Sequence, residues 1–128
     1  MTTATPSGEI TIQMLAMPAN TNANGDIFGG WLVSHMDLAA GVLAKKISHG
    51  RAVTVAIETM KFLKPVHVGD VVICYVQLIK LGNTSMTIEV EAWKEAFVTE
   101  EKVCVTKGTF VFVAVDDNGH PRQVPRPA

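Results

Sequence analysis

At 128 residues, 48% hydrophobic and 18% charged, the chain has room for one domain with one core, and is too apolar to be a disordered segment. A formal net charge of −1 leaves no global basic field for a nucleic-acid backbone, so a polyanionic ligand must be met by local Lys and Arg. The opening MTTATPSGE lacks the basic and apolar segments of a signal peptide, and Asp37 and Lys45-Lys46 interrupt the longest apolar run, so no membrane span is expected.

Residues 1–8 read as a flexible Thr/Pro/Ser tail. EITIQMLAM (9–17) alternates as a strand, and 18–30 is loop by composition, with Asn24-Gly25 as a turn. Residues 31–48 form the one long helix, about 27 Å in length, with Gly50 as its C-cap. Apolar residues cover nearly every face of it, so it should be surrounded. Strands follow at 51–63, 71–81, 85–95 and 102–115, separated by turns at 68–70, Gly82-Asn83 and Asp117-Asn118-Gly119. The tail 122–128 is Pro-rich and irregular, leaving a single domain over 9–121. The expected class is α+β: about five antiparallel strands curled around one helix. One sheet half-wraps such a helix, and a second subunit would complete the burial. Cys74 and Cys104 lie in apolar strands and read as reduced core thiols, consistent with a cytoplasmic protein.

Asp37 is the one carboxylate inside the apolar helix. No basic residue stands three or four positions away to neutralise it. It is either a carboxylate bonded to a neighbouring loop or a general base tuned by burial. The small residues Ala39, Ala40 and Gly41 leave room beside it for a ligand or another chain. Gly29-Gly30 at the helix start expose backbone N–H groups, which serve either a tight turn or an oxyanion. A base and an oxyanion donor within one helix length are the minimum for hydrolysing an ester or thioester without a side-chain nucleophile.

Other machinery is missing. There is no G-x-S-x-G elbow, phosphate-binding loop or dinucleotide fingerprint. Ser34 and His35 diverge by about 100° on the helix, and His35 and Asp37 face different ways, so neither pair forms a catalytic or metal couple. His49 reads as a helix-end residue, while His67 and His120 sit in loops without a spacing signal. DDNG (116–119) lacks the later Glu of a calcium loop.

The block LAMPANTNANGDIFGGWLVSHMDLAAGVLAKKISHGRAVTVAIETMKFLKPVHVGDVV closely resembles the YciA-like acyl-CoA thioesterases, and the similarity runs from about residue 10 to 125. The resemblance implies a hotdog fold, in which an antiparallel sheet wraps a long helix. It also implies edge-to-edge dimers that assemble into hexamers as trimers of dimers. By that likeness Asp37 is the general base or nucleophile. Asn22 orients water or substrate across the dimer interface, with Asn24 as the less favoured holder of that role, and Gly30, preceded by Gly29, polarises the thioester carbonyl. The implied activity is hydrolysis of acyl-CoA to free acid and CoA, with no metal or organic cofactor. Candidates for the CoA phosphates and nucleotide are Arg51, Lys61, Lys64 and Lys80, Arg122 and Arg126 from the tail, and the turn residues Asn83, Thr84 and Ser85. Two departures stand out: Ala39-Ala40 where relatives often carry Gly, and a short segment at 96–101. The rival readings are an acyl-thioester hydratase or dehydratase, which needs a His where Phe28 stands, and a non-catalytic acyl-CoA-binding module, which would not need Asp37.

Overall fold

The strict alternation of SMTIEVEAWKE organises the sheet. Met86, Ile88, Val90 and Ala92 are fully buried on one face of this strand, while Thr87 and Glu89 point to the other. The computed structural model describes residues 5–95 and 101–126. Its elements are β1 (Glu9–Leu15), a 3-10 turn (Pro18–Asn20), α1 (Gly29–Ser48), β2 (Ala52–Phe62), β3 (Val71–Leu81), β4 (Ser85–Glu95) and β5 (Lys102–Ala114). The five strands make one antiparallel sheet in the order β1-β3-β4-β5-β2. Most of the short 96–101 segment noted above lies outside the described residues.

The order corrects the simplest expectation, that successive strands are neighbours. β2 pairs with β5, from Ala52↔Ala114 to Phe62↔Thr106, and leaves its other edge open. The 13-residue β5 is long enough to carry β4 on one side and β2 on the other. The connection from β2 to β3 is pulled across the end of the sheet instead of folding into a hairpin. Leu63 and Lys64 donate their N–H groups to Val105 O, Pro65 has none to give, and Gly69 N–H reaches Ala16 O beyond β1 (2.9 Å).

Helix α1 begins at Gly29, two residues earlier than its apolar run. Trp31, Leu32, Met36, Ala39, Ala40 and Ala44 form a buried stripe at three- and four-residue spacings against the sheet. The helix is not surrounded. Leu38 is 60% exposed and Val42 42%, and the neighbouring strand β2 is open along most of its length. An uncovered apolar strip beside an unpaired strand edge is the surface a second chain would cover.

The C-terminal end of α1 is closed differently from expectation. His49, not Gly50, adopts the left-handed conformation (φ 55°), and its N–H returns to Lys45 O. Gly50 leaves space for the Arg122 side chain, since a Cβ there would lie 2.8 Å from Arg122 Nη2 and the guanidinium would have to shift. Arg122 donates to three carbonyls: Val115 (2.8 Å), Ser48 (2.8 Å) and Arg51 (3.2 Å). Arg126 donates to Gly82 O, and Val124 is fully buried with its N–H on Asn83 O. The two tail arginines proposed for CoA phosphates are therefore spent on the main chain, and Arg122 also places positive charge at the helix C-terminus.

Replacing Arg122 by Ala strands those carbonyls and should cost about 1–3 kcal/mol, a fall of several degrees in the melting temperature measured by calorimetry. Lys at this position should recover only part of the loss, because it has no planar fork to span three acceptors. An unchanged melting temperature in Arg122→Ala would show that the tail does not clamp the helix end.

Candidate active site

Two regions of α1 hold the candidate groups. At its start, Phe28 is the N-cap and supplies no side-chain hydrogen bond, so the first-turn N–H groups of Gly29 and Gly30 have no partner within the helix. A Cβ on Gly29 would come within 3.1 Å of the Phe62 ring, so glycine also lets β2 close on the helix start. A cleft of about 290 Å³ opens there, between Gly29, Leu32, Phe62, Lys64 and Val66.

The loop before the helix is built around Asn22. Its Oδ1 accepts the N–H groups of Asn24 (2.9 Å) and Asp26 (3.2 Å), and its own N–H donates to Asp26 O (2.7 Å). Gly25 has a φ of +83°, a conformation the turn needs and glycine supplies without strain. Asn24 lends its N–H to the turn, whereas Asn22 is its hub. Asn22 and Gly30 are both solvent-exposed.

Two turns along the helix, Asp37 accepts a hydrogen bond from the Thr54 hydroxyl of β2 at 2.7 Å. The sequence suggested a buried acid; within one chain Asp37 is only half-buried, because it lies at the edge of the sheet beside β2, where an open groove begins. It stands in an open groove of about 590 Å³, walled by Leu38, Val42, Val53 and Phe112. Thr54 was not among the expected site residues. No spacing rule marks it, since its role comes from β2 lying beside α1. Ala39 and Ala40 are fully buried against the sheet, so they neither open nor narrow this groove. Gly41 is the small residue that reaches it, where a Cβ would touch the Phe112 ring at 3.6 Å.

The distance between the two regions decides what one chain can do. Gly30 and Asp37 are seven residues apart, nearly two whole turns, so they share a helix face about 10 Å apart along the axis. A carbonyl under attack must lie roughly 3 Å from both its oxyanion donor and the group that delivers the nucleophile. At about 10 Å along the axis, Gly30 and Asp37 of one chain do not converge on one atom, an arrangement that leaves room for a second chain to contribute to the site.

The remaining candidates separate as well. His35 donates from Nδ1 to Trp31 O at 2.7 Å, with its ring 4.5 Å from the Trp31 ring, and Ser34 Oγ donates to the same carbonyl at 2.9 Å. The Trp31 carbonyl therefore sets the orientation of both side chains. Arg51, Lys80, Asn83, Thr84 and Ser85 gather where β2 begins and β3 turns into β4. Lys61 and Lys64 lie at the other end of β2, about 30 Å away. Among the described residues no three His, Cys, Asp or Glu side chains cluster as a metal site, and no helix is long and apolar enough to cross a membrane.

Comparison with known proteins adds an independent line. Residues 24–99 match the sequence profile of the thioesterase superfamily. The acyl-CoA thioester hydrolase YciA of Salmonella typhimurium is 52% identical over 124 residues, covering 94% of this chain and 93% of that one. A hexameric thioesterase from Yersinia pestis superposes with a TM-score of 0.91 at 52% identity, over 96% of this chain and all of that one. The acyl-CoA hydrolase of Staphylococcus aureus, solved with butyryl-CoA and CoA, gives a TM-score of 0.85 at 28% identity, over 89% of this chain and 70% of that one. It has also been solved with one Asn or one Asp replaced by Ala.

A side-chain thiol could attack a thioester, and this chain has two, both unpaired. Burial pushes the Cys74 thiol up to about 12, and Cys104 is raised by burial and by the nearby Glu91 carboxylate. At pH 8 a group titrating near 12 is thiolate about once in 10⁴ molecules. Iodoacetamide treatment of the native protein at pH 8, followed by mass spectrometry, should leave Cys74 unmodified and label Cys104 slowly. Labelling of Cys74 at the rate of a free thiol would contradict this placement.

Proposed function

Because the chain belongs to the thioesterase superfamily, we propose that it hydrolyses acyl-CoA thioesters to a free acid and CoA, at a site built by two copies of the chain. Asp37 of one copy supplies the base, and the helix start and Asn22 loop of the other supply the oxyanion donor and the positioning amide. The observation that carries this reading is the separation of Gly30 from Asp37 along a rigid helix. The uncovered edge of β2 and the open groove beside Asp37 are where a second copy would bring its own Gly30 and Asn22. The Asn and Asp replaced in the Staphylococcus aureus relative stand fifteen positions apart, the same interval as Asn22 to Asp37.

The reaction follows from these groups. The Asp37 carboxylate, oriented by Thr54, takes a proton from water as the water oxygen attacks the thioester carbon. Gly30 N–H of the second copy donates to the carbonyl oxygen while it carries negative charge. When the C–S bond breaks, the leaving sulfur recovers the proton from Asp37, giving free acid and CoA. The alternative, direct attack by Asp37 to form an anhydride, uses the same groups. No metal or organic cofactor enters either route. The hydratase reading is the less favoured, because Phe28 stands where the extra His is needed.

The named relatives support a hexamer made from such pairs, the Yersinia pestis protein being hexameric. Lys64 flanks the cleft at the helix start, and Arg51 and Lys80 lie at the far end of the sheet, so each chain offers two separate basic groups for the CoA phosphates. Two unpaired thiols fit a cytoplasmic location.

Asp37→Asn should lower kcat by about 10²–10⁴-fold with the oligomer intact, read by release of free CoA thiol from a short acyl-CoA. Thr54→Val keeps the shape of β2 and should cost about tenfold in kcat, with KM little changed. Treatment with EDTA should leave the rate unaltered. A folded Asp37→Asn protein that turns over at the wild-type rate would sink the mechanism.

A further inference from the structure

The Asn22 loop is tied to the β2–β3 connection at two adjacent points. Ile27 N–H donates to Val66 O at 3.1 Å, and the next side chain along, His67, sets Nε2 3.7 Å from Asp26 Oδ1. Asp26 is bonded to Asn22 twice, through the two hydrogen bonds described above. Displacing Asp26 therefore displaces Asn22. On the other side of the ring, Nδ1 lies 4.0 Å from Asp70 Oδ2. Asp70 is fixed: it accepts the His67 N–H at 2.9 Å and faces Lys94 Nζ at 3.7 Å, which itself donates to Pro65 O.

The His67 ring thus stands between an anchored carboxylate and one that belongs to the site loop. At 3.7 and 4.0 Å the two carboxylates lie beyond hydrogen-bond reach of the ring but within ion-pair distance, so it is the charged form of the ring that both attract. The charged groups recorded around the ring are Asp26 of the loop, Asp70 of the turn and, through Asp70, Lys94 of β4. His67 and Asp26 are both about half exposed, so the pair adds little to overall stability, and its effect falls on loop placement.

We propose that His67 is a positioning residue for turnover, holding the Asn22 loop when its ring is protonated and releasing it when the ring is neutral. The proposal rests on the reading of Asn22 given above. Histidines change charge between pH 5 and 8, so the hold strengthens on the acid side of that range.

The test measures kcat and KM for a short acyl-CoA across pH 5–8 in wild type, His67→Ala and His67→Arg. Amide NMR shifts of Asn22, Asn24 and Asp26 are followed alongside. Any ionisation of Asp37 is common to all three proteins and cancels in their ratios. In wild type the loop amides should move with the His67 ring. Its kcat should exceed that of His67→Ala severalfold at the acid end, converging towards pH 8, with the smaller change in KM. His67→Arg, permanently charged, should keep the advantage at every pH. A wild-type to His67→Ala ratio that is flat with pH, or loop amides that titrate equally in His67→Ala, overturns the proposal. Loop amides that follow His67 while kcat does not would overturn the positioning role together with the catalytic reading of Asn22. Asp37→Asn tests the base separately.

Discussion

Everything in this protein is arranged around a rigid rod. Helix α1 is held against the sheet by Met36, Ala39, Ala40 and Ala44, all fully buried, so its rotation and height are set by packing. Asp37 follows Met36 by one residue, which turns it about 100° from the packed face towards β2. There Thr54 meets it. The same rod fixes the first-turn N–H groups about two turns away, and no side-chain rotation can close that interval. A base and an oxyanion donor spaced in this way favour the proposed site, which draws on a second helix.

The incompleteness of the single chain then has a purpose. A strand edge without a partner and exposed Leu38 and Val42 would be a liability in a monomer. As contact surface in the proposed pair they would bring a second helix start close to Asp37, so that the burial stabilising the pair would also assemble the site. An isologous pair of this kind carries two equivalent sites. Stability and catalysis would then depend on the same contact, while the Arg122 clamp at the far end of α1 secures the helix independently of it.

Much of this was legible in the sequence. Alternation in residues 85–95 marked a strand with one buried face, and the run after Gly30 marked the helix. What the sequence could not carry was lateral placement. Nothing local says that β2 pairs with β5 and not with β3, because that depends on where the chain is drawn by distant carbonyls such as Val105 and Ala16. Thr54 was invisible for the same reason, and so was the spending of Arg122 on main-chain oxygens. His49 adopted the left-handed turn while the adjacent glycine sits beside the Arg122 guanidinium, so the usual C-cap signal pointed one residue too far. The half-exposed Asp37 corrected an inference drawn from composition: an apolar neighbourhood in sequence became a buried one only on the side that faces the sheet.

The central claim, that each site draws on two chains, is tested most directly by mixing subunits. Asn22→Ala and Asp37→Ala proteins, each nearly inactive alone, are combined under conditions that exchange protomers, and exchange is verified by native mass spectrometry. Mixed pairs regain one intact site, so activity should return to as much as half that of a wild-type pair. Complete exchange without any return of activity would place Asn22 and Asp37 in the same chain's site and contradict the account.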